Sequence, residues 1–139
     1  MRIGEIMTKS VVTVYMDDTL TRIRDIFDES RFHHLVVMEQ GMIVGVISDR
    51  DLLKHLSPFV GNAWMEREQD TNTFKRKAHQ IMTRAPVLAR EDMPVQEAAR
   101  ILLDKHVSCL PVVTRDRRLC GIVTWRDLLP YCFARQDAA

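Results

Sequence analysis

Two short stretches carry the residue types that could bind a small polar molecule, and they are near copies: GVISDRDLL beginning at Gly45 and GIVTWRDLL beginning at Gly121. In each, an apolar run of strand character ends on a hydroxyl, Ser48 or Thr124, and a carboxylate, Asp51 or Asp127, follows three residues later beside an arginine, Arg50 or Arg126. A strand that turns there directly into a helix exposes unpaired backbone N–H groups. With the hydroxyl at the N-cap and the aspartate in the first turn, the junction could hold a polyol or an oxyanion. The carboxylate accepts two hydroxyl protons of a ribose, while the arginine or the amide-rich helix start takes a phosphate. The same spacing has a second reading, because Ser-x-x-Asp is close to a capping box in which both side chains serve only the helix's own amides. Three features favour a ligand: a capping box prefers the longer Glu or Gln, an arginine precedes each aspartate, and Gly45 or Gly121 would let a ligand approach the strand closely.

These stretches belong to a repeat that runs along most of the chain. Ile6-Met7-Thr8 recurs as Ile81-Met82-Thr83, and Val12, Asp17, Ile26, Leu35 and Val37 recur as Val87, Asp92, Ile101, Leu110 and Val112, all at an offset of 75. From Gly45 and Gly121 onward the offset is 76, and the extra residue falls in a polar turn, Glu39 to Gly41 in one copy and Arg115 to Arg117 in the other. Apolar spacing at Leu20, Ile23, Ile26 and Phe27 predicts a helix over 19–30, and Val95, Ala98, Ala99 and Leu102 predict one over 94–106 with Pro94 in its first position. Apolar runs at 35–38 and 42–47, and at 110–113 and 119–123, predict two hairpins. Short strands at 11–14 and 87–88 and closing helices at 49–56 and 125–132 complete an α+β chain of two β-α-β-β-α repeats.

The domain boundaries that follow are 1–57 for the first repeat, 58–78 for a polar linker and 79–139 for the second repeat with a short polar C-terminal tail. One repeat of about 55 residues is near the lower limit for a self-sufficient core, so the two are expected to bury their sheets against each other. Phe59 and Trp64 stand out in the linker as aromatics that should pack on something.

The full chain has 139 residues, with 20 Lys+Arg against 19 Asp+Glu, a net charge of +1 that excludes a strongly basic nucleic-acid binder. Short basic clusters such as Lys75-Arg76-Lys77 and the turn at Arg115 are read as solvated surface, so no nucleic-acid partner is expected. Cys109, Cys120 and Cys132 match neither a paired zinc motif nor a disulfide framework. No apolar stretch has the length of a signal peptide or a membrane span, and the expectation is a cytoplasmic protein without a membrane partner. Adjacent His33 and His34 would point to opposite faces of a strand, which argues against a shared metal ion. Cys109 reads as a small apolar residue, no nucleophile has a base at a convincing spacing, and the chain is not expected to be an enzyme.

With Ile-Met-Thr at Ile6 and Ile81, the hairpins RFHHLVV at Arg31 and HVSCLPVV at His106, and the two Gly-h-h-[Ser/Thr]-x-Arg-Asp stretches, the sequence resembles the cystathionine-beta-synthase-type (CBS) domain family, whose domains occur in tandem pairs. The resemblance implies two repeats packed sheet to sheet as a pseudo-twofold module with two clefts that bind adenosine-containing ligands such as AMP, ADP or ATP. It implies further that Asp51 and Asp127 hold ribose hydroxyls beside Ser48 and Thr124, that the backbones near Val12 and Val87 meet the adenine edge, that Val46 and Ile122 pack on its face, and that His33 and His34 face the phosphates. Which strand serves which aspartate stays open. Ser108 and Cys109 replace the two histidines in the second copy, so unequal occupancy is expected, and Trp125 in place of Asp49 either stacks on a ligand or covers a dimer surface. The resemblance also implies a homodimer that regulates another protein, with no cofactor required and with magnesium left open. The rival expectation is a structural dimerisation module with no ligand, in which the aspartates are helix caps.

Overall fold

A computed structural model of the chain describes residues 1–55 and 75–137. The predicted linker, with Phe59 and Trp64, lies almost wholly outside the described residues. In chain order the elements are a 3-10 turn at Ile3–Glu5, β1 (Thr13–Tyr15), α1 (Leu20–Glu29), β2 (His34–Glu39), β3 (Met42–Ser48), α2 (Asp49–His55), α3 (Ala78–Ile81), β4 (Thr83–Arg84), β5 (Ala89–Arg90), α4 (Val95–Lys105), β6 (Cys109–Val113), β7 (Leu119–Thr124) and α5 (Trp125–Asp137). The expected strand-helix-strand-strand-helix order is present in both copies. The first strand of each copy begins two residues later than expected, and α5 runs on past Cys132 with Pro130 inside it.

The chain divides into two compact units, and their boundaries differ from those of the repeats. The first unit is Val12–Ala85; the second joins Met1–Val11 to the chain from Pro86 onward. Each repeat therefore yields its leading segment to the other repeat's core. In the first unit the sheet order is β1-β2-β3-β4, with β1 parallel to β2 and the other pairs antiparallel. In the second unit it is β5-β6-β7, and Thr8 pairs with Ile122 beside β7 where β4 lies beside β3 in the first.

The exchanged segments are held by equivalent bonds. Ile3 N–H donates to the Met93 carbonyl at 2.9 Å and Ala78 N–H to the Asp18 carbonyl at 2.8 Å. The first amide of α4, Val95, donates to the Met1 carbonyl at 3.1 Å, and the first amide of α1, Leu20, donates to the Arg76 carbonyl at 2.9 Å. An orphan donor at each helix start is thus satisfied by backbone from the segment. This explains a departure at Pro94, which is the N-cap in extended conformation, ψ 146°, and makes no side-chain cap of its own.

Within each unit, apolar side chains of the sheet and of the helices cluster into one core. Val14, Leu20, Ile23, Leu35, Val37, Ile47 and Leu52 form the first core together with Ala78, Ile81 and Met82 from the exchanged segment. Ile3, Ala89, Val95, Ala98, Leu102, Leu110, Val112, Val123 and Leu128 form the second. The β2–β3 hairpin closes through Gln40 and Gly41, both left-handed with φ 51° and 76°, as a two-residue turn that favours asparagine-like residues and glycine. The β6–β7 connection is longer, with Thr114 Oγ accepting from Arg118 N–H at 3.2 Å and Arg117 at φ 63°.

Candidate functional site

On β2, Leu35 and Val37 enter the core, so His34 and Val36 lie on the other face of the sheet. Register places His34 opposite Ser48 and Val36 opposite Val46, making a lane across β2 and β3 that ends at the start of α2. The second unit repeats the lane with Cys109 opposite Thr124 and Pro111 opposite Ile122, ending at the start of α5. Each unit thereby gathers an apolar residue, a hydroxyl and a carboxylate at one strand-to-helix junction.

At the first junction the capping box is complete despite the short aspartate. Asp51 N–H donates to Ser48 Oγ at 3.1 Å, and Ser48 N–H donates to Asp51 Oδ2 at 2.8 Å. Asp51 Oδ1 takes no hydrogen bond among the described residues. At the second junction Thr124 N–H donates to Asp127 Oδ2 at 3.0 Å, with the Thr124 hydroxyl at 3.5 Å from the same oxygen, and Thr8 Oγ1 donates to Asp127 Oδ1 at 3.3 Å. Both aspartates are half-buried, and Arg50 and Arg126 beside them are exposed. The box serves the helix start with one carboxylate oxygen, so at Asp51 capping and diol binding are compatible.

The glycines have a different role from the one their position suggested. A Cβ on Gly45 would lie 2.5 Å from Met82 Sδ and 3.0 Å from the Thr83 carbonyl oxygen, and one on Gly121 would meet Met7 Sδ and lie 3.0 Å from the Thr8 carbonyl oxygen. The space beside each glycine is filled by the Ile-Met-Thr segment docked on the strand, not left for a ligand. Glycine and methionine are repeated together because they pack together.

His33 precedes β2, and its Nδ1 is 2.8 Å from Asp49 Oδ2, a contact across the loop to the first residue of α2. His34 is held below the usual histidine pKa chiefly by burial; nearby His33 adds to this, while Asp49 and Asp51 oppose it. The second copy has Ser108 and Cys109 at these places, and Trp125, in the position of Asp49, packs against the second core. Neither expectation for Trp125 included that core contact.

Val12 and Val87 each pack a partly buried side chain on the core of their own unit. The Val12 carbonyl accepts from Val36 N–H at 3.2 Å. Val46 is half-buried, and Ile122 is 5 % exposed. The contribution that residue spacing did not reveal is Thr8, 119 positions from Asp127. Its only trace in the sequence is the repeated Ile-Met-Thr.

A cavity of about 330 Å³ lies at the opposite end of β6 and β7, around Arg2, Arg90 and Arg115. Glu91, Asp92 and Asp116 line it too, which leaves no net attraction for an anion. Cys120 lies nearby, and its thiol is pushed up by burial and by the Glu91 carboxylate, away from the reactive thiolate. Among the described residues no group of three or more His, Cys, Asp or Glu could hold a metal ion, and no helix is long and apolar enough to cross a membrane.

Known proteins share this frame. A CBS domain-containing protein of Dictyostelium discoideum is 34% identical over 129 residues, covering 91% of this chain and 88% of the relative. The CBS domain pair of protein MJ0100, solved in complex with 5′-methylthioadenosine and S-adenosyl-L-methionine, superposes with a TM-score of 0.78 at 25% identity over 97% of this chain and 98% of that one. CBSX2 of Arabidopsis thaliana, solved in complex with AMP, gives 0.76 at 25% identity over 97% and 98%. The CBS domain family profile matches twice, over residues 3–58 and 78–133. With both matches falling on the two copies of the repeat, the chain belongs to the CBS domain family as a tandem pair.

Proposed function

We propose that this chain is a regulatory module that binds an adenosine-containing ligand at its strand-to-helix junctions and transmits its occupancy to another protein. The observation that carries the reading is the junction itself, built twice, with a hydroxyl and a carboxylate at the end of a strand and an exposed arginine between them. Asp51 and Asp127 take ribose hydroxyls beside Ser48 and Thr124, Val46 and Ile122 offer apolar surface to a base, and Arg50, Arg126, His33 and His34 are the groups for phosphate. Two similar CBS pairs solved with adenosyl compounds support the ligand class. Binding acts by population shift: a saturating ligand multiplies the ratio of the two arrangements by the ratio of its affinities for them. The module works in the cytoplasm without a catalytic step, and exposed Leu53, Leu103 and Leu129 on α2, α4 and α5 support its assembly as a homodimer. Sedimentation of the purified chain as a monomer would remove that last part.

The test is thermal unfolding against AMP, ADP, ATP, NAD and S-adenosylmethionine, with guanosine nucleotides as controls. At about 100 times its dissociation constant a ligand adds about 2.7 kcal/mol, a shift of several degrees. The expected shift is confined to adenosyl compounds and is lost when Asp51→Ala and Asp127→Ala are combined. The complete capping box at Ser48 favours a second reading, a structural interaction module whose aspartates only cap helices. In that case the variants lower stability by about 0.5 to 2 kcal/mol per cap, and no compound raises the midpoint.

A further inference from the structure

Thr8 lies in the leading segment of the first repeat, yet its side chain reaches the aspartate of the second. The Thr8 hydroxyl donates to Asp127 Oδ1 at 3.3 Å, while its backbone exchanges two hydrogen bonds with Ile122, both 2.9 Å. Since Thr124 N–H holds Oδ2 at 3.0 Å, the Asp127 carboxylate is fixed at both oxygens. Asp51 is fixed at one. Thr83 pairs with Val46 as Thr8 pairs with Ile122, but among the described residues its side chain is exposed and gives no hydrogen bond to Asp51.

From this difference we infer that Thr8 is a positioning residue for ligand binding at Asp127, and that affinity there depends on the seating of the leading segment against β7. The inference rests on the reading of the aspartates as ribose-binding groups. A carboxylate already held in one plane loses less freedom when it takes a diol than one free to rotate, so the Thr8 bond removes part of the ordering cost in advance. The coupling is reciprocal: if a seated segment favours the ligand, the ligand favours the seated segment by the same factor. Ile3, fully buried in the second core, and Met7, packed on Gly121, set the segment's register and so place the Thr8 hydroxyl. Asp51 has no such partner from its own docked segment, which makes the two junctions unequal before any ligand arrives.

The experiment uses the full chain carrying Asp51→Asn, so that only the Asp127 junction is read, and titrates AMP, ATP and S-adenosylmethionine calorimetrically. Thr8→Val keeps the shape and removes the hydroxyl; the expected result is about five- to tenfold weaker binding with the melting midpoint of the free protein little changed. Thr8→Ser restores the affinity, and hydrogen exchange at the Ile122 amide slows when the ligand is added. In the complementary Asp127→Asn background, Thr8→Val leaves binding at Asp51 unchanged. Unchanged affinity at Asp127 with Thr8→Val, or a loss that Thr8→Ser does not restore, overturns the inference while the ribose reading stands. If the unsubstituted protein binds none of the three compounds, the ribose reading is overturned, and the inference with it.

Discussion

Ile3→Ala tests the exchange of leading segments, because Ile3 belongs to the first repeat in sequence and to the second core in space. Its side chain is fully buried among Ala89, Val95, Ala98, Leu102, Leu110, Val112, Val123 and Leu128, one of nine buried residues that form that core among the described residues. The equivalent place in the first core is held by Ala78, around which that core has closed. The second core has been built around the larger side chain and would be left with a cavity. Truncating a buried isoleucine to alanine costs about 2 to 5 kcal/mol, and about 3 kcal/mol corresponds to roughly a 100-fold rise in the population of the opened state. Native-state hydrogen exchange reads this by element: amides of α4, β6 and β7 should exchange on the order of 100-fold faster, while those of β2 and β3, near Ile3 in sequence, lose least. Loss of protection that falls on β2 and β3 and spares β6 and β7 would refute the exchange, as would a variant as stable as the parent.

Two further outcomes follow from packing and titration. Gly121→Ala places a methyl against Met7 Sδ and should lower stability by about 1 to 3 kcal/mol in a denaturant melt, with a smaller loss when Met7 is also shortened to alanine; equal losses in both backgrounds would show that Met7 is not the obstacle. Because burial holds His34 below its unfolded pKa of about 6.5, the unfolded chain takes up a proton first as pH falls. Its contribution is therefore fully present above about pH 6.5 and is lost progressively as pH falls below that toward the folded-state value. His34→Gln should flatten the dependence of the melting midpoint between pH 7 and 5, and an unchanged slope would assign that dependence to other groups.

The elements were legible because their signals are local. Leu20, Ile23, Val95, Ala98 and Leu102 keep a helical stripe, and all five are buried. The hairpins were marked by polar turns between apolar runs. The exchange of segments was not legible, since Ile3 and Ala78 carry no sign of which core receives them; their partners, Met93 and Asp18, are set by tertiary packing. For the same reason Gly45 and Gly121 suggested open space, when the atoms that fill it belong to methionines 37 and 114 positions away. At the junctions the residues were legible and their bonding was not, because an aspartate in place of Glu is a weak capping signal until the backbone is known to bring Ser48 N–H within 2.8 Å of it.

The order in which a ribosome releases the chain gives the crossed segments a consequence of their own. The first unit needs nothing beyond Ala85, so it can close while the rest is still being made. Thr8 must wait for Ile122, and at about 5 to 20 residues per second the intervening 114 residues take about 6 to 23 s to appear. During that interval Ile3 is a buried residue without its core, and neighbouring nascent chains on one message present the same unsatisfied segment. A β7 strand finished on one chain offers the same edge to the leading segment of another, and the tether that keeps a chain's own segment at high effective concentration is what holds the pairing within one copy.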